Sequence, residues 1–217
     1  MLPLYQGYPG YQGYQGRNNI CSGTFNCMKE VSMEYIAHVN FDNKIQSCNE
    51  HSVNTAKTAA KRVDSIGLYH AAYLAGILHD AGKYSDEFCQ YIIKAVNGEG
   101  VSKGSVIHSF AGCSYLLSRF HNDELGYSDV ASEIIAYAIG AHHGLFDLAN
   151  EEGTYGFEHR INKQPEYDKF AMQHFLESCV SKDEIAGLFN KAVTEISGKI
   201  DAILELSNGN DEETLFY

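Results

Sequence analysis

Residues 74–83 read Leu74-Ala75-Gly76-Ile77-Leu78-His79-Asp80-Ala81-Gly82-Lys83, an apolar stretch that ends in a histidine beside an aspartate. A neutral imidazole and a carboxylate are both good ligands for a divalent metal ion. Burying such a pair among apolar residues is costly unless an ion or another partner compensates for the charge. His79 and Asp80 are therefore either metal ligands or a surface pair near the end of a helix.

Four further histidines occupy comparable positions along the chain. His51 lies in the first turn of an amphipathic segment, and His108 comes directly before a predicted helix that Ser109 would cap. His142 and His143 end another apolar segment. Each of them alone has an ordinary interpretation as an exposed or capping residue. Together with His79-Asp80 they place potential ligands at separated helix ends, and this pattern favours a metal site.

Adjacent histidines on a helix point about 100° apart, because one turn holds about 3.6 residues. His142 and His143 can therefore serve one site only if the end of their helix faces the cleft directly. The small residues Gly140, Ala141 and Gly144 leave room for that arrangement.

The composition indicates one compact domain with a tail. The chain has 217 residues, of which 44% are hydrophobic, and it shows neither a long apolar run nor a secretory signal. We therefore expect a cytoplasmic protein with no membrane partner. The formal net charge of -12 argues against a broad basic surface that grips phosphates. A polyanionic substrate would have to be held by metal ions or by another protein.

Helical periodicity dominates the chain after its first 32 residues. Residues 1–32 contain a tyrosine-glycine repeat that predicts a disordered extension, and residues 33–217 form the predicted folded domain. The apolar ending at 215–217 resembles the start of another helix, so we expect this domain to be truncated. The predicted helices span 50–66, 70–81, 86–96, 109–120, 128–142, 166–180 and 182–206. Only the short piece 36–41 alternates like a strand, which predicts an all-α helical bundle with ligands at the ends of central helices.

The ordered motifs resemble those of a known family. They are Gln46-Ser47 before Glu50-His51-Ser52, Gly76 to Ser85 with Phe88 close behind, His108-Ser109-Phe110-Ala111-Gly112, and His142-His143-Gly144-Leu145-Phe146-Asp147. This order resembles the HD superfamily of metal-dependent phosphohydrolases and, more narrowly, the HD nuclease module of type I CRISPR systems. The resemblance covers residues 33–217. It implies cleavage of single-stranded DNA, a superfamily 2 helicase domain as a fused or separate partner, and work with a CRISPR surveillance complex.

The resemblance also implies two divalent ions that share Asp80 as a bridging, catalytic carboxylate. The other ligands would be His51 and His79 for the first ion, and His108, His142 and His143 for the second. Two such ions can activate water and stabilise an in-line displacement at a phosphodiester. Histidine-rich ligation is compatible with manganese, iron, nickel or cobalt, and magnesium also belongs among the candidates.

Lys83 matches the family lysine that meets a substrate phosphate, which would make it a second catalytic residue. The alternative is a lysine near a helix end that the helix dipole favours.

One departure from the family concerns the first ion. In the family a late aspartate completes its ligand set, and this sequence has no convincing match. Asp201 falls on the polar face of the last helix and is predicted to face solvent. The first site is therefore expected to lack one ligand, with unequal metal occupancy and weak nuclease activity as consequences.

Two other functions stay open at this point. One is an HD phosphohydrolase that acts on nucleotides, which the acidic composition mildly favours. The other is a non-catalytic module that docks onto a CRISPR surveillance complex.

Overall fold

The computed structural model describes residues 35–40, 42, 44–102, 104–144, 157, 161 and 167–206. Within these residues the protein has seven α-helices, two short strands and two 3-10 turns, at Asp64–Ile66 and Ala81–Tyr84. The strands are β1 (Ile36–Val39) and β2 (Ile45–Ser47). The helices are α1 (Cys48–Val63), α2 (Tyr69–Leu78), α3 (Asp86–Val96), α4 (Ala111–Phe120), α5 (Tyr127–Gly140), α6 (Tyr167–Ser178) and α7 (Lys182–Leu206). The predicted all-α class is confirmed.

An antiparallel hairpin of β1 and β2 leads directly into α1. The sequence predicts the first strand but not its partner, in which only three residues are paired. Ser47 ends β2 and caps α1, because its side chain accepts a hydrogen bond from the backbone N–H of Glu50 at 3.2 Å. The hairpin and the first turn of α1 are thereby held together.

Helix α2 is the central helix, as its nearly uniform apolar sequence predicts. Leu74 and Leu78 are fully buried, and the helix packs against α1, α5 and α7. Helix α7 caps the N-terminus of α2. The Glu195 carboxylate of α7 accepts hydrogen bonds from the backbone N–H groups of His70 and Ala71 at 2.8 and 3.0 Å. These contacts satisfy N–H groups that a helix leaves without partners at its start.

A single hydrophobic core joins the helices. Its largest fully buried side chains include Tyr84, Phe175, Phe189, Leu74, Leu78, Leu116, Ile135 and Ile139. Phe120 of α4 stacks on Phe189 of α7 with ring centroids 4.1 Å apart. This core fixes the helix ends from which the histidines project.

Three predicted helix boundaries are wrong in an informative way. The helix predicted over 70–81 ends at Leu78, and the one predicted over 128–142 ends at Gly140. The helix predicted from Ser109 begins at Ala111, and Phe110 rather than Ser109 occupies the cap position. The ligand candidates other than His51 therefore lie just outside the helices. One cause is that His79 and His142 bind carbonyl groups of the last helical turn with their own rings.

The extension predicted over 1–32 and the chain end at 207–217 lie outside the described residues. In the described part of the chain, no helix has the length and apolar character needed to cross a membrane.

Candidate metal centre

Asp80 is buried, and side chains from several parts of the chain converge on its carboxylate. Around Oδ2 lie the Nε2 atoms of His51 and His79 at 2.9 and 3.0 Å. The Nζ atom of Lys83 is 2.9 Å from the same oxygen. His51 comes from α1, whereas Asp80 and Lys83 belong to the turn that follows α2. One carboxylate oxygen thus gathers the residues predicted for the first ion.

The second oxygen, Oδ1, faces the other predicted ligand set. The Nε2 atoms of His142 and His108 lie 3.3 and 3.6 Å from it. His143 adjoins them, with its Nε2 2.8 Å from the Nε2 of His108. One ligand atom each from Asp80, His108, His142 and His143 lies within 4.8 Å of all the others. The structure therefore brings all the predicted ligands together around one carboxylate.

Backbone carbonyl groups orient three of the rings. The Nδ1 of His79 binds the carbonyl of Gly76 at 2.7 Å, and that of His142 binds the carbonyl of Ile139 at 2.6 Å. His108 does the same with Val106 at 3.2 Å. A carbonyl can only accept, so each Nδ1 carries the proton and a neutral ring keeps its Nε2 lone pair available for a metal ion. Metal-bound histidines in proteins are oriented in this way.

This donor set fits a divalent cation. Asp80 Oδ1 and His142 Nε2 are both buried and lack any hydrogen-bond partner within the described residues, although they lie 3.3 Å apart. Two acceptors that face each other repel unless a positive charge lies between them. A divalent ion held by these atoms would satisfy both.

Close backbone contacts position the loop that carries His108. A Cβ atom at Gly82 would lie 2.3 Å from the carbonyl oxygen of His108, and one at Gly112 would lie 2.2 Å from that of Leu78. Only glycine permits these approaches. The Phe88 ring packs against the His108 ring at a centroid distance of 4.9 Å. The loop is therefore built against the end of α2.

The electrostatics favour an ionised Asp80 carboxylate and a neutral His108 imidazole. Burial by itself would raise the pKa of Asp80, but the polar groups around its carboxylate, the His51 ring among them, hold this pKa below its usual range. Burial lowers the pKa of His108 to about 4. Near neutral pH, Asp80 is thus ionised and His108 offers a free lone pair, which are the forms that bind metal.

Lys83 lies inside the site instead of on a solvated helix end. It belongs to the 3-10 turn Ala81–Tyr84, is 4% exposed and also lies 5.4 Å from the centroid of the Phe88 ring. Its ammonium group is the positive charge that the structure places directly on Asp80. Contact with a substrate phosphate stays a prediction.

His38 of β1 was missed in the sequence. Its Nε2 lies 3.2 Å from the Nζ of Lys83, and its ring lies edge-on to the His51 ring with centroids 4.6 Å apart. It projects from a strand and not from a helix end, so the pattern that revealed the other histidines could not reveal it. Alternation in Ile36-Ala37-His38-Val39 is the only sequence signal, and it also suits an exposed surface histidine.

Asp201 is exposed, as its place on the polar face of α7 predicts, and it accepts a hydrogen bond from the Tyr127 hydroxyl. It belongs to neither ligand group found among the described residues. Asp147, which is part of the resemblance motif, lies outside these residues.

Residues 49–173 match the protein-family model described as HD domain, and this match spans more than half of the chain. The chain belongs to the HD domain family. The match contains Asp80, Lys83 and all the predicted histidine ligands, but it begins after His38. No curated protein matches the chain. Membership places this protein in the superfamily of metal-dependent phosphohydrolases, in agreement with its histidine-aspartate clusters.

Proposed function

We propose that this HD domain is a metal-dependent nuclease that cleaves single-stranded DNA in the cytoplasm as part of type I CRISPR defence. The observation that carries the proposal is the two-sided environment of Asp80. Separate histidine sets lie at Oδ1 and Oδ2, which is the arrangement needed to hold two ions on one shared carboxylate.

Each residue at the site has a specific task in this proposal. Asp80 stays ionised and joins the two ligand sets, while the histidines use Nε2 as the ligand atom. Divalent ions, when bound, supply Lewis acidity and an activated water for phosphodiester hydrolysis. Lys83 holds a positive charge beside Asp80, where it offsets negative charge that a phosphate brings into the site.

The choice of DNA as substrate rests on the motif set. Gly82-Lys83 after His79-Asp80, the His108 motif and the His142-His143 pair together resemble the CRISPR nuclease module. The net charge of -12 means that the chain has little basic surface to recruit DNA by itself. A superfamily 2 helicase domain and a surveillance complex would deliver the unwound strand, as fused or separate partners.

The decisive experiment offers the purified protein two substrate classes. Circular single-stranded DNA, which has no ends, is incubated with Mn²⁺, and the same protein is incubated with a panel of mononucleotides. We expect metal-dependent cleavage of the circle with little sequence preference, and no cleavage by Asp80→Asn. Hydrolysis of one nucleotide with no cleavage of DNA would move the assignment to a nucleotide phosphohydrolase, which the acidic composition favours. Hydrolysis of neither DNA nor any nucleotide would contradict a catalytic role.

A further inference from the structure

We propose that His38 is a ligand of the first metal ion and completes the set formed by His51, His79 and Asp80. This inference rests on the proposed metal-dependent function and deepens it. It supplies, from a strand at the start of the domain, the ligand that Asp201 does not provide.

The first observation is the position of the His38 ring. One ligand atom each from His38, His51 and Asp80 lies within 4.8 Å of the other two. His79 adjoins this group, because its Nε2 is 3.1 Å from the Nε2 of His51 and 3.0 Å from Asp80 Oδ2. His38 thus approaches the side of the carboxylate that belongs to the first ion.

The second observation is that the Nε2 atom of the His38 ring accepts a hydrogen bond inside the site. Its Nε2 lies 3.2 Å from the Lys83 ammonium, which can only donate a hydrogen bond. The lone pair of Nε2 is therefore directed into the site. Lys83 now supplies positive charge to His38 Nε2 and Asp80 Oδ2, and an ion held by Asp80 Oδ2 would do so in its place.

The third observation is that β1 is anchored directly before His38, at Tyr35 and Ala37. Ala37 is 1% exposed and packs into the core, so the alternation of the strand sends His38 to the opposite side. The Tyr35 hydroxyl bonds to His174 Nδ1 at 2.6 Å, and the Tyr35 carbonyl accepts from the backbone N–H of Cys48 at 2.7 Å. The strand therefore holds His38 in place against α1.

With His38 included, the two metal sites become chemically alike. Each contains three imidazoles together with the shared Asp80 carboxylate: His38, His51 and His79 on one side, and His108, His142 and His143 on the other. Imidazole-rich sites suit manganese, iron, nickel or cobalt better than magnesium. The full protein should then bind two equivalents of Mn²⁺ instead of one strong and one deficient equivalent.

The test measures metal content and not activity. The whole chain is equilibrated with Mn²⁺ by dialysis, and bound manganese is measured by mass spectrometry over a range of free concentrations. We expect two ions in the wild type. In His38→Ala the affinity of one site should fall about 10- to 100-fold, while the other site keeps its affinity and reports that the fold is intact.

His121→Ala is the matched control, because His121 pairs with Glu133 at 2.9 Å through its own ring and lies in neither ligand group. It should bind two ions like the wild type. Two unchanged sites in His38→Ala would overturn the inference and leave the proposed function intact. No bound metal in the wild type would overturn both.

A second pair of variants separates direct ligation from a role through Lys83. If His38 only positions Lys83, Lys83→Met should weaken the same site, and adding His38→Ala should change nothing more. If His38 is a ligand, adding His38→Ala to Lys83→Met should still remove the first ion. The former result would overturn the assignment.

Discussion

Asp80 affects both the stability of the fold and the proposed metal binding, because it is a buried charge at the centre of the site. It is 3% exposed, the Lys83 ammonium lies 2.9 Å from its Oδ2, and each of its oxygens faces a different set of histidines. A buried charge that keeps its partners is tolerated, whereas the same charge without them is strongly destabilising. Substitutions here will therefore affect both metal binding and the metal-free fold.

Asp80→Asn should abolish binding of both ions and lower DNA cleavage by more than about 100-fold, because losses from outer-shell changes alone already reach that range. The amide keeps the shape of the side chain but leaves the buried Lys83 charge unpaired, so the metal-free fold should lose about 3 to 5 kcal/mol. Manganese analysis and urea unfolding measure the two effects. Asp201→Asn is the control, and retention of two ions by Asp80→Asn would contradict the bridging role.

The stability of the metal-free protein should fall as the pH decreases from 6.5 to 4. Burial lowers the pKa of His108 from 6.5 to about 4, so in this range the unfolded chain binds more protons than the folded one. The contribution of His108 is on the order of 3 kcal/mol at the acid end. Urea unfolding in EDTA at several pH values measures it. His108→Asn cannot titrate, so it should show a shallower slope, and an equal slope would refute this origin.

Close contacts between helix backbones set the geometry of the site. At Gly76 a Cβ atom would lie 2.6 Å from the Cα of Ala56, which means that α2 touches the backbone of α1. This contact sets the separation between His51 on α1 and His79 at the end of α2. Gly82 and Gly112 play the same part for the His108 loop and α4.

Gly76→Ala should destabilise the protein by about 1 to 3 kcal/mol, because the added methyl group must push two backbones apart. It should also lower the affinity of the first metal site, since His51 and His79 would move apart. Gly187→Ala in α7 is the matched control. Nothing lies within 4 Å of its Cβ position, so it should gain about 0.5 to 1 kcal/mol. Unfolding and manganese titration of both variants test this difference, and equal stabilities would contradict it.

Considered as a whole molecule, the protein brings the residues of one candidate metal centre together from distant parts of the chain. The strand β1, the first turn of α1 and the turns after α2 and α5 each contribute, together with the loop before α4. The unfolded chain has no such site, so free energy of metal binding becomes free energy of folding.

Manganese should therefore raise the thermal midpoint of the protein. At a free concentration 100 times the dissociation constant, one site adds about 2.7 kcal/mol. For a domain of this size this corresponds to about 5 to 10 °C. Differential scanning calorimetry with Mn²⁺ and with EDTA measures the shift, which Asp80→Asn should not show. An equal shift in that variant would place metal binding elsewhere.

Local patterns explain what could be predicted. Helical periodicity depends on neighbouring residues, so the all-α class and the central helix were readable. The ligand types were readable as well, because histidines and an aspartate beside apolar segments are chemically unusual wherever they fold. The helix boundaries were less accurate, since ring-to-carbonyl bonds at His79 and His142 end those helices early.

The amino-acid sequence by itself determined the helical class, the HD character and most of the side chains able to bind metal, because these depend on residue type and short-range spacing. Only the tertiary structure decided which oxygen of Asp80 each histidine faces, that Lys83 is buried, and that His38 lies beside Lys83 and His51. Those features arise from contacts between segments far apart in the chain, set by backbone approaches at glycines and by the anchoring of β1. Such contacts leave no periodic trace in a single sequence.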